Sequence, residues 1–172
     1  RYGIEKTIGS ILFSRGIRRK EEINTFLFPE LNNFHSPFLM TGIPEAVSRI
    51  RKALEKKELI AIFADSDLDG ITSLTILYDL LSKCGSTPEI RYPKNKEGYG
   101  LTCDIIDEFI ESGISLLITV DSGIRDIDEI KYAASKGIET IITDHHEPDT
   151  IYPDAIIINP KNKIPIKYFF IF

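Results

Sequence analysis

Five short apolar runs alternate with helical segments from residue 59 onward, and this alternation limits the folds open to the chain. The predicted strands are 59–64, 89–92, 115–120, 139–143 and 155–158. The predicted helices between them are 71–84, 103–111 and 126–135. Strands that are apolar throughout and joined by helices are typical of a parallel sheet covered on both faces. The sequence therefore predicts an α/β fold, with three αβα layers around a mainly parallel five-stranded sheet.

The residues ahead of the sheet are predicted to form a separate helical part. Apolar residues recur at helical spacing over 4–13 and 21–28, and Pro44 suits the first turn of a further helix. We expect a helical N-terminal segment over residues 1–43 and a domain that contains the sheet over residues 44–172. The chain begins without Met and lacks the apolar stretch of a signal peptide. We therefore expect a piece of a longer cytoplasmic protein.

Composition narrows the possible partners. The net charge of −5 argues against a non-specific binder of polyanions. It does not argue against a nucleic-acid enzyme, because acidic residues clustered at a metal site contribute to that charge. No apolar run approaches the ~20 residues needed to span a membrane.

Three aspartates, Asp65, Asp67 and Asp69, follow the first predicted strand. Carboxylates this close repel one another and raise one another's pKa unless a cation lies among them. One of them could be the N-cap of the following helix, which is a common role for aspartate. All three together are better explained as oxygen ligands of a divalent metal ion.

Polar residues also follow three of the other strands. Asp121 follows the third strand, Asp144, His145 and His146 follow the fourth, and Asn159 follows the fifth. The carboxyl ends of parallel strands share one edge of the sheet, where ligands bind. Taken alone, Asp121 fits an Asx turn and Asn159 fits ordinary turn chemistry. Together, the carboxylates and imidazoles indicate a site for Mn²⁺ or Mg²⁺ with space for two ions.

The stretch after the second strand combines basic, glycine and aromatic residues. Its candidate substrate contacts are Arg91, Lys94, Lys96, Gly98 and Tyr99. The stretch could be a flexible surface loop without a further role. Because it follows a strand, we expect it to overhang the same edge of the sheet. There its basic side chains and amides suit phosphates, and its tyrosine suits stacking on a base.

Three short motifs follow strands in the order in which a known family carries them. They are D-x-D-x-D-G at 65–70, the strand end at 117–124 and the D-H-H at 144–146. The segment 97–101 and the Asn-Pro pair at 159–160 add to the similarity. Together these motifs resemble the DHH phosphoesterase superfamily, and specifically its RecJ branch of single-stranded-DNA exonucleases. Ser66 and Ser122 depart from the residues common in that branch, at positions that supply no metal ligand in the family.

The resemblance implies a metal-dependent exonuclease that removes nucleotides from the 5′ end of single-stranded DNA in repair and recombination. It implies that Mn²⁺ or Mg²⁺, with two ions in the complete site, is bound by Asp65, Asp67, Asp121, Asp144 and His145. The catalytic residues that it implies are Asp65, Asp67, Asp69, Asp121, His145 and His146. The substrate contacts that it implies are Arg91, Lys94, Lys96, Gly98, Tyr99 and Asn159.

Two other functions stay open from the sequence. Another DHH phosphoesterase, acting on short oligonucleotides or cyclic dinucleotides, would carry the same motifs, and a catalytically silent RecJ-like binding module would keep the same fold. In the RecJ branch a fourth motif with a further metal-binding aspartate follows Asn159, and it is not found before Phe172. We therefore expect this chain to bind manganese weakly and to degrade single-stranded DNA poorly or not at all.

Overall fold

A computed structural model describes residues 3–94 and 97–161 of the chain. The described residues fall into two compact units, the first formed by residues 3–37 and the second by residues 38–161. The candidate substrate contact Lys96 lies outside the described residues. The domain limits predicted at residues 43 and 44 stay a prediction.

The first unit is helical. Helix α1 covers Lys6–Ser14, helix α2 covers Lys20–Leu27, and a single 3-10 turn follows at Leu31–Asn33. At the start of helix α2, the Glu22 carboxylate accepts a hydrogen bond from the backbone N–H of Arg19. This bond satisfies an N–H group that has no partner within the helix.

The second unit alternates helices and strands. Its helices are α3 (Ile43–Lys56), α4 (Leu68–Lys83), α5 (Cys103–Glu111) and α6 (Ile127–Ser135). Its strands are β1 (Ile60–Ala64), β2 (Glu89–Arg91), β3 (Leu116–Val120), β4 (Glu139–Thr143) and β5 (Ile156–Ile158). A second 3-10 turn lies at Pro37–Leu39. None of the helices within residues 3–94 and 97–161 is long and apolar enough to cross a membrane.

The five strands form one parallel sheet in the order β2-β1-β3-β4-β5. Strand β1 pairs with β3 so that Ala64 lies opposite Val120, and β3 pairs with β4 so that Val120 lies opposite Thr143. The three central strands therefore end side by side. The predicted five-stranded parallel sheet is confirmed.

A layer of helices covers each face of the sheet. Phe63 of β1 belongs to an apolar cluster with Phe109 of α5 and Ile130 of α6. Its neighbour Ile62 belongs to a second cluster, with Leu81 of α4 and residues of α3. Successive strand residues point to opposite faces, so a strand covered on both sides is apolar throughout. Burial of each of the larger side chains contributes about 1.5–3 kcal/mol, and the predicted three-layer arrangement is confirmed.

Helix α4 begins at Leu68, earlier than the predicted start at residue 71. Asp67 is its N-cap, and the Asp67 carboxylate accepts a hydrogen bond from the backbone N–H of Gly70 at 3.0 Å. The aspartate motif is therefore divided between the end of β1 and the first turn of α4. Apolar spacing alone does not show this start, because the cap depends on a polar side chain.

Arg49 of α3 joins three parts of the second unit through two ion pairs. Its side chain is 7% exposed and binds Glu58 at 2.6 Å and Glu139 at 2.7 Å. Glu58 lies between α3 and β1, and Glu139 is the first residue of β4. Because the guanidinium is buried, water screens these pairs less than it screens pairs on the surface.

We expect Arg49→Met to lower the free energy of unfolding by about 1–3 kcal/mol, because two carboxylates lose their partner. Urea unfolding followed by circular dichroism measures the change. The control is Lys83→Met, since Lys83 and its partner Asp79 are exposed and such pairs contribute at most about 1 kcal/mol. Equal effects of the two substitutions would show that the buried Arg49 pairs contribute no more to stability than the exposed pair of Lys83 and Asp79.

Candidate metal centre

The ends of the three central strands bring the predicted acidic residues together. Asp65 directly follows β1, Asp121 directly follows β3, and residues 144–146 directly follow β4. The backbone N–H of Asp121 still donates to the carbonyl of Thr143 at 2.8 Å, so the ladder of hydrogen bonds continues past the end of β3. The candidate ligands therefore start from neighbouring points on one edge of the sheet.

Within residues 3–94 and 97–161, two groups of side chains lie close enough to share a metal ion. In each group the ligand atoms lie within 4.8 Å of one another. Asp65, Asp67 and Asp121 form the first group, and Asp121, His145 and His146 form the second. Asp121 belongs to both groups and is buried, which makes it the centre of the arrangement.

The two adjacent histidines have different partners. The Nε2 atom of His145 lies 3.0 Å from Oδ1 of Asp121. The Nδ1 atom of His146 lies 2.8 Å from Oδ1 of Asp144. His145 thus turns toward the carboxylate group at the centre, while the ring of His146 is oriented by the carboxylate beside it. Adjacent side chains on an extended segment point apart, which is why the two rings reach different carboxylates.

Asp144 is as buried as Asp65 and Asp121, and both of its carboxylate oxygens have partners within the protein. Its Oδ2 atom accepts a hydrogen bond from the backbone N–H of Ile124 at 3.0 Å, and its Oδ1 atom accepts one from the backbone N–H of His146 at 2.9 Å. Both oxygens are therefore used within the protein, and Asp144 is in neither candidate ligand group. These contacts suit a residue that orients His146, and the role of Asp144 as a metal ligand stays a prediction.

Asn159 also supports His146. It is buried, and its Nδ2 atom donates a hydrogen bond to the backbone carbonyl of His146 at 3.0 Å. Its Oδ1 atom accepts a hydrogen bond from the backbone N–H of Lys161 at 2.8 Å. These contacts stabilise the turns after β4 and β5, in agreement with the turn chemistry that Asn159 suggested by itself. The contact with substrate implied by the resemblance stays a prediction.

An open pocket of about 320 Å³ lies in front of this cluster. Asp69, an exposed residue in the first turn of α4, lines the pocket together with Ser73 of the same helix. The remaining lining residues are Asp121, Thr143, Asp144 and His145. Asp69 is therefore near the centre, but the geometry does not include it among the clustered ligand atoms of the described residues.

The carboxylates at the centre interact unfavourably in the absence of a cation. Burial and the neighbouring charge of Asp67 raise the pKa of Asp121 to about 6. The hydrogen bond from the Gly70 N–H lowers the pKa of Asp67, so Asp67 stays charged. The Oδ2 atom of Asp121 is buried and has no hydrogen-bond partner among the described residues. A buried, unpaired carboxylate oxygen beside a second carboxylate fits a site built for a cation.

The stretch after β2 is placed differently from the prediction in one respect. Arg91 is 7% exposed and its guanidinium binds Glu97 and Glu108, so it does not face the strand ends as a free cation. Lys94 and Gly98 are exposed. Tyr99 is 65% exposed, and its hydroxyl lies 3.5 Å from Nε2 of His146. The tyrosine therefore reaches the centre with its polar end.

Comparison with known proteins fixes the family. The family model for the N-terminal domain of the DHH family matches residues 59–164. The chain belongs to the DHH family. Within the family it is of the RecJ type, as predicted. It is 39% identical over 160 residues to the single-stranded-DNA-specific exonuclease RecJ of Bacillus subtilis (strain 168), and the match covers 92% of this chain and 20% of that protein. The chain thus spans about a fifth of the length of this relative.

Solved RecJ structures share the fold of this DHH-family chain. RecJ from Thermus thermophilus in complex with Mn²⁺ is 29% identical, with a TM-score of 0.68 over 87% of this chain and 20% of that chain. A second exonuclease RecJ bound to manganese is 30% identical, with a TM-score of 0.72 over 78% of this chain and 35% of that chain.

Sequence reasoning missed the residues that support the DHH-family centre. Glu108 of α5 binds Arg91, the last residue of β2, and Asp126, ahead of α6, accepts a hydrogen bond from Leu101 in the stretch that follows. They are separated from their partners by 17 and 25 residues, and no local spacing connects residues so far apart. An aspartate just before a predicted helix is normally interpreted as its N-cap, so the sequence did not indicate that Asp126 binds Leu101.

Gly70 allows the first turn of α4 to approach the end of β1. A Cβ atom at this position would lie 2.3 Å from the backbone carbonyl oxygen of Asp65, a distance that forces backbone atoms apart. We expect Gly70→Ala to lower the melting temperature of the DHH-family chain by several degrees, because the aspartates on either side must move.

The control for this change is Gly9→Ala. Gly9 also lies inside a helix, but a Cβ atom there would meet nothing within 4 Å. Alanine favours a helix over glycine by about 1 kcal/mol, so this variant should keep or raise the melting temperature. Differential scanning calorimetry compares the two, and a Gly70→Ala protein as stable as Gly9→Ala would contradict the close packing.

Asp121→Asn tests the repulsion at the centre. Without divalent metal at neutral pH, we expect it to raise the free energy of unfolding by about 1–2 kcal/mol, because a buried charge beside Asp67 is removed. The folded pKa lies above the ordinary value of an aspartate, so the wild type is destabilised above about pH 6 and the gap between the proteins should close toward about pH 4. Urea unfolding in EDTA at several pH values measures it.

The control is Asp79→Asn, which removes an exposed carboxylate from the outer part of α4. Its effect on stability should be small and should not favour the variant. A metal-free Asp121→Asn protein that is less stable than the wild type at neutral pH would show that the Asp121 charge is already compensated.

Proposed function

We propose that this chain carries the metal centre of a RecJ-type phosphoesterase that hydrolyses phosphodiester bonds in single-stranded DNA. The observation that carries the proposal is the position of Asp121. It is buried, it has an oxygen without a hydrogen-bond partner among the described residues, and it belongs to both groups of clustered ligand atoms. A carboxylate in this position is unfavourable unless a cation binds there.

The donor set supports Mn²⁺ or Mg²⁺. Carboxylate oxygens with one or two imidazole nitrogens suit these ions, and imidazole favours manganese of the two. Asp65, Asp67 and Asp121 would hold one ion, and Asp121 with His145 and His146 offers a second position. When bound, such ions lower the pKa of a coordinated water and neutralise charge on a phosphate. Solved RecJ proteins bound to manganese support this choice.

The residues around the ligands prepare the site for an anion. Asp144 and Asn159 hold the backbone and ring of His146 in one orientation. Helix α4 begins at Leu68, directly beside the carboxylates. The positive end of the helix dipole favours negative charge. His146 and the start of α4 would therefore face a phosphate group that lies over the pocket.

The proposed substrate rests on the relatives and on the stretch after β2. Several relatives carry the name single-stranded-DNA-specific exonuclease RecJ. Lys94, Gly98 and Tyr99 are exposed, and Tyr99 reaches His146. These residue types suit contacts with a phosphate backbone or a base. A role in DNA repair and recombination in the cytoplasm, and action from the 5′ end, belong to the same proposal and follow from the similarity to RecJ.

Manganese binding tests the centre directly. We expect calorimetric titration of the chain with Mn²⁺ at low ionic strength to give saturable binding. Asp121→Asn should weaken it by about tenfold or more, because both ligand groups lose their shared carboxylate. Asp79→Asn should leave the affinity within about twofold, since exposed acids far from a site act only through screened charge. Absence of saturable binding to the wild type would overturn the metal centre.

Hydrolysis tests the substrate class. Single-stranded DNA labelled at either end, a cyclic dinucleotide and duplex DNA are each incubated with the chain and Mn²⁺. We expect Mn²⁺-dependent release of nucleotides from the single strand, lowered about a hundredfold or more by Asp121→Asn. A preference for the cyclic dinucleotide would assign the chain to another kind of DHH phosphoesterase. Intact manganese binding with no hydrolysis of any of them would indicate a silent binding module.

A further inference from the structure

The segment formed by residues 97–101 carries Tyr99 to the metal centre, yet most of it has little apolar support. Glu97, Gly98 and Tyr99 are exposed, and Leu101 is the one buried large apolar residue among the five. An exposed segment with so few apolar contacts is ordered only if polar contacts hold it. The structure shows such contacts at both ends of the 97–101 segment.

Arg91 holds the first end. Its Nη1 and Nη2 atoms donate to the two carboxylate oxygens of Glu97 at 3.0 and 2.9 Å. On its other side, the Nε atom donates to Glu108 of α5 at 2.9 Å, and the Tyr92 carbonyl accepts a further hydrogen bond from Nη1. A bidentate pair fixes both the position and the angle of the carboxylate. Arg91 therefore attaches Glu97 to the end of β2 and to α5.

The pKa values of Arg91 and Glu97 agree with the hydrogen bonds between them. Arg91 and the Lys94 N–H lower the pKa of Glu97 to about 2. Glu108 and Glu97 raise the pKa of Arg91 above its ordinary value. Each group is therefore fully charged across the neutral range. A substrate phosphate could bind Arg91 only by displacing two carboxylates, which is why Arg91 suits a structural contact better than a substrate contact.

Asp126 holds the second end. It is the N-cap of α6, yet its side chain does not cap that helix. Its Oδ2 atom accepts a hydrogen bond from the backbone N–H of Leu101 at 2.9 Å instead. A Cβ atom at Gly100, where φ is +83°, would lie 2.8 Å from Oδ1 of Asp126. The glycine lets the segment pass close to the aspartate, in a backbone conformation that other residues avoid.

We propose that Arg91 and Asp126 are positioning residues that hold the two ends of the 97–101 segment and so keep Tyr99 against His146. The hydroxyl of Tyr99 lies 3.5 Å from Nε2 of His146, and the two rings meet edge to face with centroids 6.2 Å apart. The expected effect of this contact on hydrolysis rests on the proposed function. The expected effect of Arg91 and Asp126 on the order of the 97–101 segment is independent of it.

Hydrogen exchange measured by mass spectrometry tests the order of the segment. We expect Arg91→Met and Asp126→Ala each to speed exchange within 97–101 by about tenfold or more, with little change in β1, β3 and β4, because the loss is local. Asp126→Asn keeps an oxygen acceptor for the Leu101 N–H and should restore slow exchange. Unchanged exchange in Arg91→Met and Asp126→Ala would overturn the proposal.

Arg49→Met is the matched control, because Arg49 is also a buried arginine bound to two glutamates. It should lower global stability without speeding exchange in 97–101 selectively. If Arg91→Met fails to fold, Glu97→Gln removes the charge from the exposed end of the same pair and should speed exchange in the same place. A Glu97→Gln protein with the wild-type pattern would also count against the proposal.

A double-mutant cycle tests the path from Arg91 to the reaction. Tyr99→Phe and Arg91→Met should each lower kcat/KM for Mn²⁺-dependent hydrolysis of single-stranded DNA by about tenfold, and the double variant should lose little more. Manganese affinity should stay within about twofold of the wild type in all three, because no ligand is changed. Additive losses would show that Arg91 does not act through Tyr99.

The outcomes separate the two proposals. Faster exchange in the variants, with no hydrolysis even by the wild type, would support the positioning of Tyr99 and count against the proposed function alone. Wild-type hydrolysis that is unaffected by Arg91→Met, with unchanged exchange, would support the proposed function and overturn the positioning. A nuclear Overhauser contact between the Tyr99 and His146 rings should be present in the wild type and lost in Arg91→Met.

Discussion

The burial of the Asp121 carboxylate beside the carboxylate of Asp67, at the end of β3, is the constraint on which the site depends. Asp121 is brought beside Asp65 and Asp67 by the pairing of neighbouring strands, and the protein offers no cation of its own to one of its oxygens within the described residues. The apolar sheet contributes the stability that tolerates this unfavourable arrangement. Binding of a divalent ion would convert the least favourable part of the domain into a stabilising one.

At this edge the sheet sets the positions of the ligand residues, and the supporting side chains set the orientation of His146. Parallel pairing in register sets where the ligands start, because Ala64, Val120 and Thr143 lie side by side. Asp144 and Asn159 then hold His146 in place, through hydrogen bonds to its ring and its backbone carbonyl. A metal centre thus has an inner set of charged groups and an outer set that keeps them in place.

The fold was predictable because its signal is local and repeated. Each strand is apolar along its whole length, and the residues after the strands carry the ligands, so position along the chain was enough to place Asp65, Asp121 and His145 at one edge. The contacts that were missed join distant parts of the chain. The partners of Arg91 and the use of Asp126 depend on how α5 and α6 pack, which local spacing does not contain. The start of α4 was missed because it depends on a single capping side chain.

The backbone at Asp121 tolerates a change in the charge of its side chain. Its φ of +57° lies in the left-handed region, which aspartate and asparagine both enter more readily than most residues. Exchange of one for the other needs no rearrangement of the strand end. Asparagine at this position would remove a charge from the proposed metal centre and leave the backbone of the strand end unchanged. The charge of the centre and the fold of the domain are therefore separable at this one residue.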